Sequence, residues 1–197
     1  AVGIHPECAN DLPDNWLSDV EALLSHPKIV AVGEIGLDYH WEDECPREKQ
    51  KEVLIAQLEL AKKHDLPVVI HDREAHGDMM DILRKYKPKG VVHCFSGSAE
   101  LAQETVKLGM YIGLGGVVTF KNVEVAKTIP LDRLLTETDA PYMAPVPFRG
   151  KRCDSSMIPY DAAKIAEVRG ITAQEVLETA CENACRLFGI TLPSAAK

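Results

Sequence analysis

The sequence predicts a parallel α/β fold, and three observations predict it. Short β-rich apolar runs recur along the chain, longer amphipathic segments separate them, and several runs stop at a residue able to bind metal or move a proton. Such alternation is the pattern of repeated βα units, whose helices cover a parallel sheet that is either open and doubly wound or closed as a barrel.

In order, the runs are Ala1 to Ile4, Ile29 to Val32, Leu66 to Ile70, Gly90 to Val92, Met110 to Leu114 and Arg133 to Thr136, giving six expected strands. Between the second and third, Arg47 to His64 spaces Val53, Leu54, Leu58 and Ala61 along one helical face. The continuous Val68-Val69-Ile70 that follows suits a strand buried on both faces. Ser98 is placed to cap the helix that ends at Leu108-Gly109. Thr172 with Glu175 has the spacing of a capping box, and Gly170 and Gly189 fit helix stops. No G-x-G-x-x-G opens a helix. The glycines of Gly113-Leu114-Gly115-Gly116 lead into Val117-Val118-Thr119-Phe120 instead, which disfavours a dinucleotide fold. Ala140 to Pro159, rich in Pro and Gly, reads as an active-site loop.

At 197 residues the chain is expected to form one domain, residues 1–197. No apolar run approaches the ~18 residues of a membrane span. Ala1-Val2-Gly3-Ile4 has neither the basic nor the long apolar region of a secretory signal, so the reading is cytoplasmic, with no membrane and no stable protein partner. The 6 cysteines are scattered without a C-x-x-C pair and are expected to be free thiols, Cys181 and Cys185 being small core residues. A net charge of −8 argues against a broad basic nucleic-acid surface. It leaves room for nuclease chemistry in which metal and a few local Lys or Arg neutralise one or two phosphates.

The residues that stop the runs carry the functional signal. Val30-Ala31-Val32-Gly33 ends in Glu34, Val69-Ile70 in His71, Val91-Val92 in His93, and the run through Leu135 in Asp139. In a barrel all the carboxyl ends of the strands share one rim, so these four would meet in one place. Two imidazoles and two carboxylates suit a divalent ion such as Zn, Mn or Mg. Arg149-Gly150-Lys151-Arg152, just beyond Asp139, is placed to hold phosphate at that rim.

Six ordered segments carry a resemblance: Gly3-Ile4-His5-Pro6, Gly33-Glu34-Ile35-Gly36-Leu37-Asp38-Tyr39, Val69-Ile70-His71-Asp72-Arg73, His93-Cys94-Phe95-Ser96-Gly97, Gly116-Val117-Val118-Thr119-Phe120-Lys121 and Glu137-Thr138-Asp139-Ala140-Pro141-Tyr142. Together they closely resemble the signature segments of the TatD family of metal-dependent deoxyribonucleases, from residue 1 to about 190. The resemblance implies a TIM (β/α)8 barrel hydrolase of the amidohydrolase-like group, with two divalent ions per complete site. Glu34 would bridge the ions, His71 and His93 would complete one site, and Asp139 would bind the other ion and handle the proton of the attacking water. His5, Asp38 and Arg73 match motif positions suited to supporting a ligand or orienting substrate, and Arg149 to holding it. That family opens with a strand ending in H-x-H, which this sequence lacks. The expectation is therefore a barrel without roughly its first two βα units, about 60 residues at ~30 per unit. The expected reaction is cleavage of DNA phosphodiesters, single strands or ends first, by a metal-activated water. Two alternatives remain: hydrolysis of an amide, lactone or phosphotriester on the same scaffold, or a non-catalytic remnant that binds metal or a partner.

Overall fold

Five parallel strands form one sheet in the order β1-β2-β3-β4-β5, within a computed structural model that describes residues 1–191. Residues 192–197 of the expected domain lie outside it. The strands are β1 (Val32–Asp38), β2 (Val68–Arg73), β3 (Gly90–Val92), β4 (Tyr111–Leu114) and β5 (Leu134–Thr136). The helices are α1 (Trp16–Leu24), α2 (Arg47–Lys63), α3 (His76–Tyr86), α4 (Ala99–Lys107), α5 (Val123–Thr128), α6 (Ile158–Arg169) and α7 (Ala173–Phe188). Each strand pairs with the next in sequence, which leaves a helix in every crossover and all carboxyl ends on one edge. The sheet does not close into a barrel among the described residues.

Local chemistry explains the helices. α2 turns Val53, Leu54, Leu58, Leu60 and Ala61 into the core, the valine and each leucine contributing roughly 1.5–3 kcal/mol by leaving water. Ser98 Oγ accepts from Leu101 N at the start of α4, and Thr172 and Glu175 form a reciprocal capping box before α7. Gly170 and Gly189 end α6 and α7 in left-handed conformations, at φ 68° and 62°.

Three expectations are corrected. The first apolar run is no strand of its own: it contributes one parallel bridge, Val2 to Val32. Its backbone is diverted, because Ile4 N donates to the Gln57 side chain at 2.6 Å, Gln57 Nε2 donates back to Ile4 O at 3.1 Å, and the chain turns at Pro6. Next, the second strand does not end before Glu34. It begins at Val32 and runs on to Asp38, since Ile35 and Leu37 are fully buried and the carboxylates among them are paired with His71. Lastly, Cys181 and Cys185 are half-buried, and the core position between them belongs to Asn183, whose Nδ2 donates to Leu131 O and Leu134 O. All six cysteines are free thiols, and no described helix is long and apolar enough to cross a membrane.

Candidate active site

At the carboxyl edge of the sheet, one carboxylate gathers three imidazoles. Glu34, inside β1, places Oε1 2.9 Å from His71 Nδ1 of the neighbouring β2 and 3.8 Å from His5 Nε2, and the same oxygen meets His93 Nε2 just after β3. His5 packs edge-on against His71 with ring centroids 4.6 Å apart, and His71 and His93 are 5.8 Å apart. The ligand atoms of His5, Glu34 and His71 all lie within 4.8 Å of one another. His5 thus belongs to the compact set, a closer role than the supporting one its motif position implied.

Carboxylates behind the imidazoles hold them in place. His71 Nε2 lies 2.9 Å from Asp38 Oδ2. Asp38 is itself buried and pinned, with its N donating to Gln50 Oε1 and its O accepting from Gln50 Nε2. His93 Nδ1 faces Glu137 Oε2 at 3.5 Å, and the other oxygen of Glu137 accepts from Cys94 N. Gly113 makes this possible, because a Cβ there would sit 2.6 Å from Glu137 Oε1. Carboxylate support of an imidazole's second nitrogen is the arrangement that orients metal-binding histidines. Glu137 was absent from the expected site residues although it lies two residues before Asp139. Its motif position was the available signal, but only the fold shows which imidazole it reaches.

Electrostatics follow from this crowding. Burial works to raise the Glu34 carboxyl, but its bonds to His71 and His93 outweigh burial and hold it well below the usual carboxylate range. Burial also opposes charge on His93, yet Glu137 and Glu34 push it up to about 10. His71 is raised by Glu34 and Asp38 against its own burial, whereas His5 is lowered by burial and by the nearby His71. Asp139 is raised, chiefly by burial and also by the charges of Glu34 and Glu137. It is half-buried and lies outside the compact set, though within electrostatic reach of Glu34, His71 and His93. Arg73 is exposed at the end of β2, with no ion pair or hydrogen bond to the cluster among the described residues. Arg149 is exposed and stacks its guanidinium 3.6 Å from the centroid of Phe120.

The donor set fits a divalent ion. Three imidazoles converge on one carboxylate oxygen, the ligand atoms of His5, Glu34 and His71 lie within 4.8 Å of one another, and imidazole nitrogen with carboxylate oxygen is a donor set such ions take.

The sequence matches the family described as TatD related DNase over residues 1–189. The chain belongs to the TatD related DNase family. Among its TatD relatives, an uncharacterized metal-dependent hydrolase, YabD, of Bacillus subtilis is 47% identical over 197 residues, covering 96% of this chain and 77% of that protein. The 3'-5' ssDNA/RNA exonuclease TatD of Citrobacter rodentium is 34% identical, covering 98% and 78%. The crystal structure of YjjV, a TatD homologue from Escherichia coli, superposes with a TM-score of 0.90 at 36% identity, over 97% of this chain and 76% of that one. The expected class, a metal-dependent hydrolase on the TatD version of the TIM-barrel fold, is thus the class to which the chain belongs.

Proposed function

We propose that this TatD-family hydrolase cleaves phosphodiester bonds at single-stranded nucleic-acid ends, DNA in the first place, and works in the cytoplasm as one hydrolase domain. One observation carries the reading: a single Glu34 oxygen is approached by His5, His71 and His93, with carboxylates behind two of those imidazoles. The name of the Citrobacter relative, an exonuclease on single-stranded DNA and RNA, supports the substrate class.

Glu34, His71, His93 and Asp139 would hold two divalent ions, Zn, Mg or Mn, with His5 joining Glu34 and His71. When bound, such ions lower the pKa of water from ~15.7 towards 7 and screen phosphate charge. The protein's own groups do the remainder. Asp38 and Glu137 fix the rings of His71 and His93. Asp139, raised by burial, is suited to take a proton from the attacking water and return it to the leaving sugar oxygen as the phosphorus–oxygen bond breaks. Arg149 would take a phosphate of the bound strand through its paired N–H groups. An exposed rim suits a strand end better than the interior of an intact duplex.

The test is cleavage of a short single-stranded DNA, with and without divalent metal, beside amide, lactone and phosphotriester substrates. Metal-dependent DNA cleavage that is lost in Glu34→Gln and in His93→Ala, with the fold retained, is the expected result. Undiminished cleavage in either variant or in excess chelator rejects the mechanism, and preference for another substrate of the panel rejects the substrate class.

A further inference from the structure

Beyond Asp139 the chain builds a second surface that the metal cluster does not use. Residues 141–152 carry Arg149, Lys151 and Arg152 and no carboxylate, in a chain whose net charge is −8. These three cations form no ion pair among the described residues; Asp154 beside them turns its carboxylate to Ser156. With Tyr142 and Met143 they line an open cavity of about 470 Å³, within the ~300–1,000 Å³ typical of small-ligand clefts. Tyr142 is 69% exposed, and Phe120, the ring under Arg149, is 40% exposed.

The segment is anchored to the rim. Tyr142 N donates to Asp139 O at 2.6 Å, Cys153 N to Pro141 O at 3.0 Å, and Val146 N to Thr119 Oγ1 at 2.9 Å. Gly116 permits the close seating, since a Cβ there would fall 1.8 Å from Met143 O. Exposed aromatic rings set among unpaired cations, on a fixed loop next to Asp139, have the chemistry of a strand-binding platform. Rings stack bases without regard to sequence, and cations take the phosphates between them.

We propose that this cleft binds the nucleotides adjoining the scissile phosphate, a base stacking on Tyr142, a second against the Arg149–Phe120 pair, and Lys151 and Arg152 holding the backbone. The proposal rests on the phosphodiesterase reading of the site and adds where the strand runs.

The experiment compares wild type with Tyr142→Ala and with the double variant Lys151→Ala, Arg152→Ala. Two phosphodiesters are used: a single-stranded DNA octanucleotide and bis(4-nitrophenyl) phosphate, which carries no flanking nucleotides. For each variant kcat/KM on the octanucleotide is expected to fall roughly tenfold further than on the small ester, mainly through KM, as the loss of one stacked base or its phosphate contact implies. In excess chelator, octanucleotide binding read by fluorescence anisotropy should weaken by about the same factor, and the double variant should lower the salt dependence by about one to two phosphates. Equal losses on both esters, or wild-type binding by both variants, overturns the proposal while leaving the phosphodiesterase reading intact. If wild type cleaves neither ester, the phosphodiesterase reading fails, and anisotropy alone decides the cleft: binding lost in the variants supports it, and no binding by wild type overturns it.

Discussion

Asp161 offers a quantitative check on how burial governs charge in this protein. It lies in the first turn of α6 with no exposed surface, and neither carboxyl oxygen has a protein hydrogen-bond partner among the described residues. Burial, reinforced by the charge of Glu137, pushes its pKa from 3.8 up to about 7. The helix N-terminus favours the carboxylate, but by only ~0.3–1 kcal/mol, so burial wins. A carboxyl raised on folding binds its proton more tightly folded than unfolded. Stability is therefore full below the unfolded value, falls as pH climbs towards about 7, and levels off above it. At ~1.36 kcal/mol per pKa unit the whole effect is about 4 kcal/mol, of which roughly 2–3 kcal/mol falls between pH 5 and pH 8. Asp161→Asn keeps the shape and removes the titration. Urea unfolding of both proteins in excess chelator should show the variant gaining about 2–3 kcal/mol relative to wild type on going from pH 5 to pH 8, at equal denaturant slopes. A difference that stays constant within ~0.5 kcal/mol, or that shrinks with pH, refutes the reasoning.

Two further outcomes follow from the supporting contacts. Glu137→Gln keeps an acceptor for Cys94 N but removes the charge facing His93 Nδ1; metal affinity by isothermal titration should weaken roughly 10–100-fold, with activity recovered at high metal, and unchanged affinity would deny Glu137 its role. Gln57→Leu leaves both Ile4 backbone groups without their side-chain partner; unfolding should cost about 2–3 kcal/mol less, and His5 should titrate nearer its ordinary value, whereas an unmoved His5 would show that its placement is independent of Gln57.

Much of this was legible in sequence because periodicity and motif order are local properties. The βα alternation, the caps at Ser98 and Thr172, the glycine stops and the family follow from residues within a turn or a strand of one another. Glu34 misled the strand boundary because a polar residue usually marks an end, whereas here His71 across the sheet satisfies it and β1 continues. Ala1 to Ile4 has strand composition, but its backbone is claimed by Gln57, more than fifty positions away. The approach of His5 to Glu34, the support of His93 by Glu137 and the burial of Asp161 are likewise products of chain crossing, invisible to any window of sequence.

The central claim, that Glu34 and its imidazoles are a metal centre, is tested most directly by anomalous diffraction from crystals of the protein soaked in Mn²⁺. The account predicts an anomalous peak within ~2–2.6 Å of a Glu34 carboxylate oxygen and of at least two nitrogens among His5, His71 and His93. Saturating Mn²⁺ that leaves no peak there, or a peak only on other residues, would contradict it.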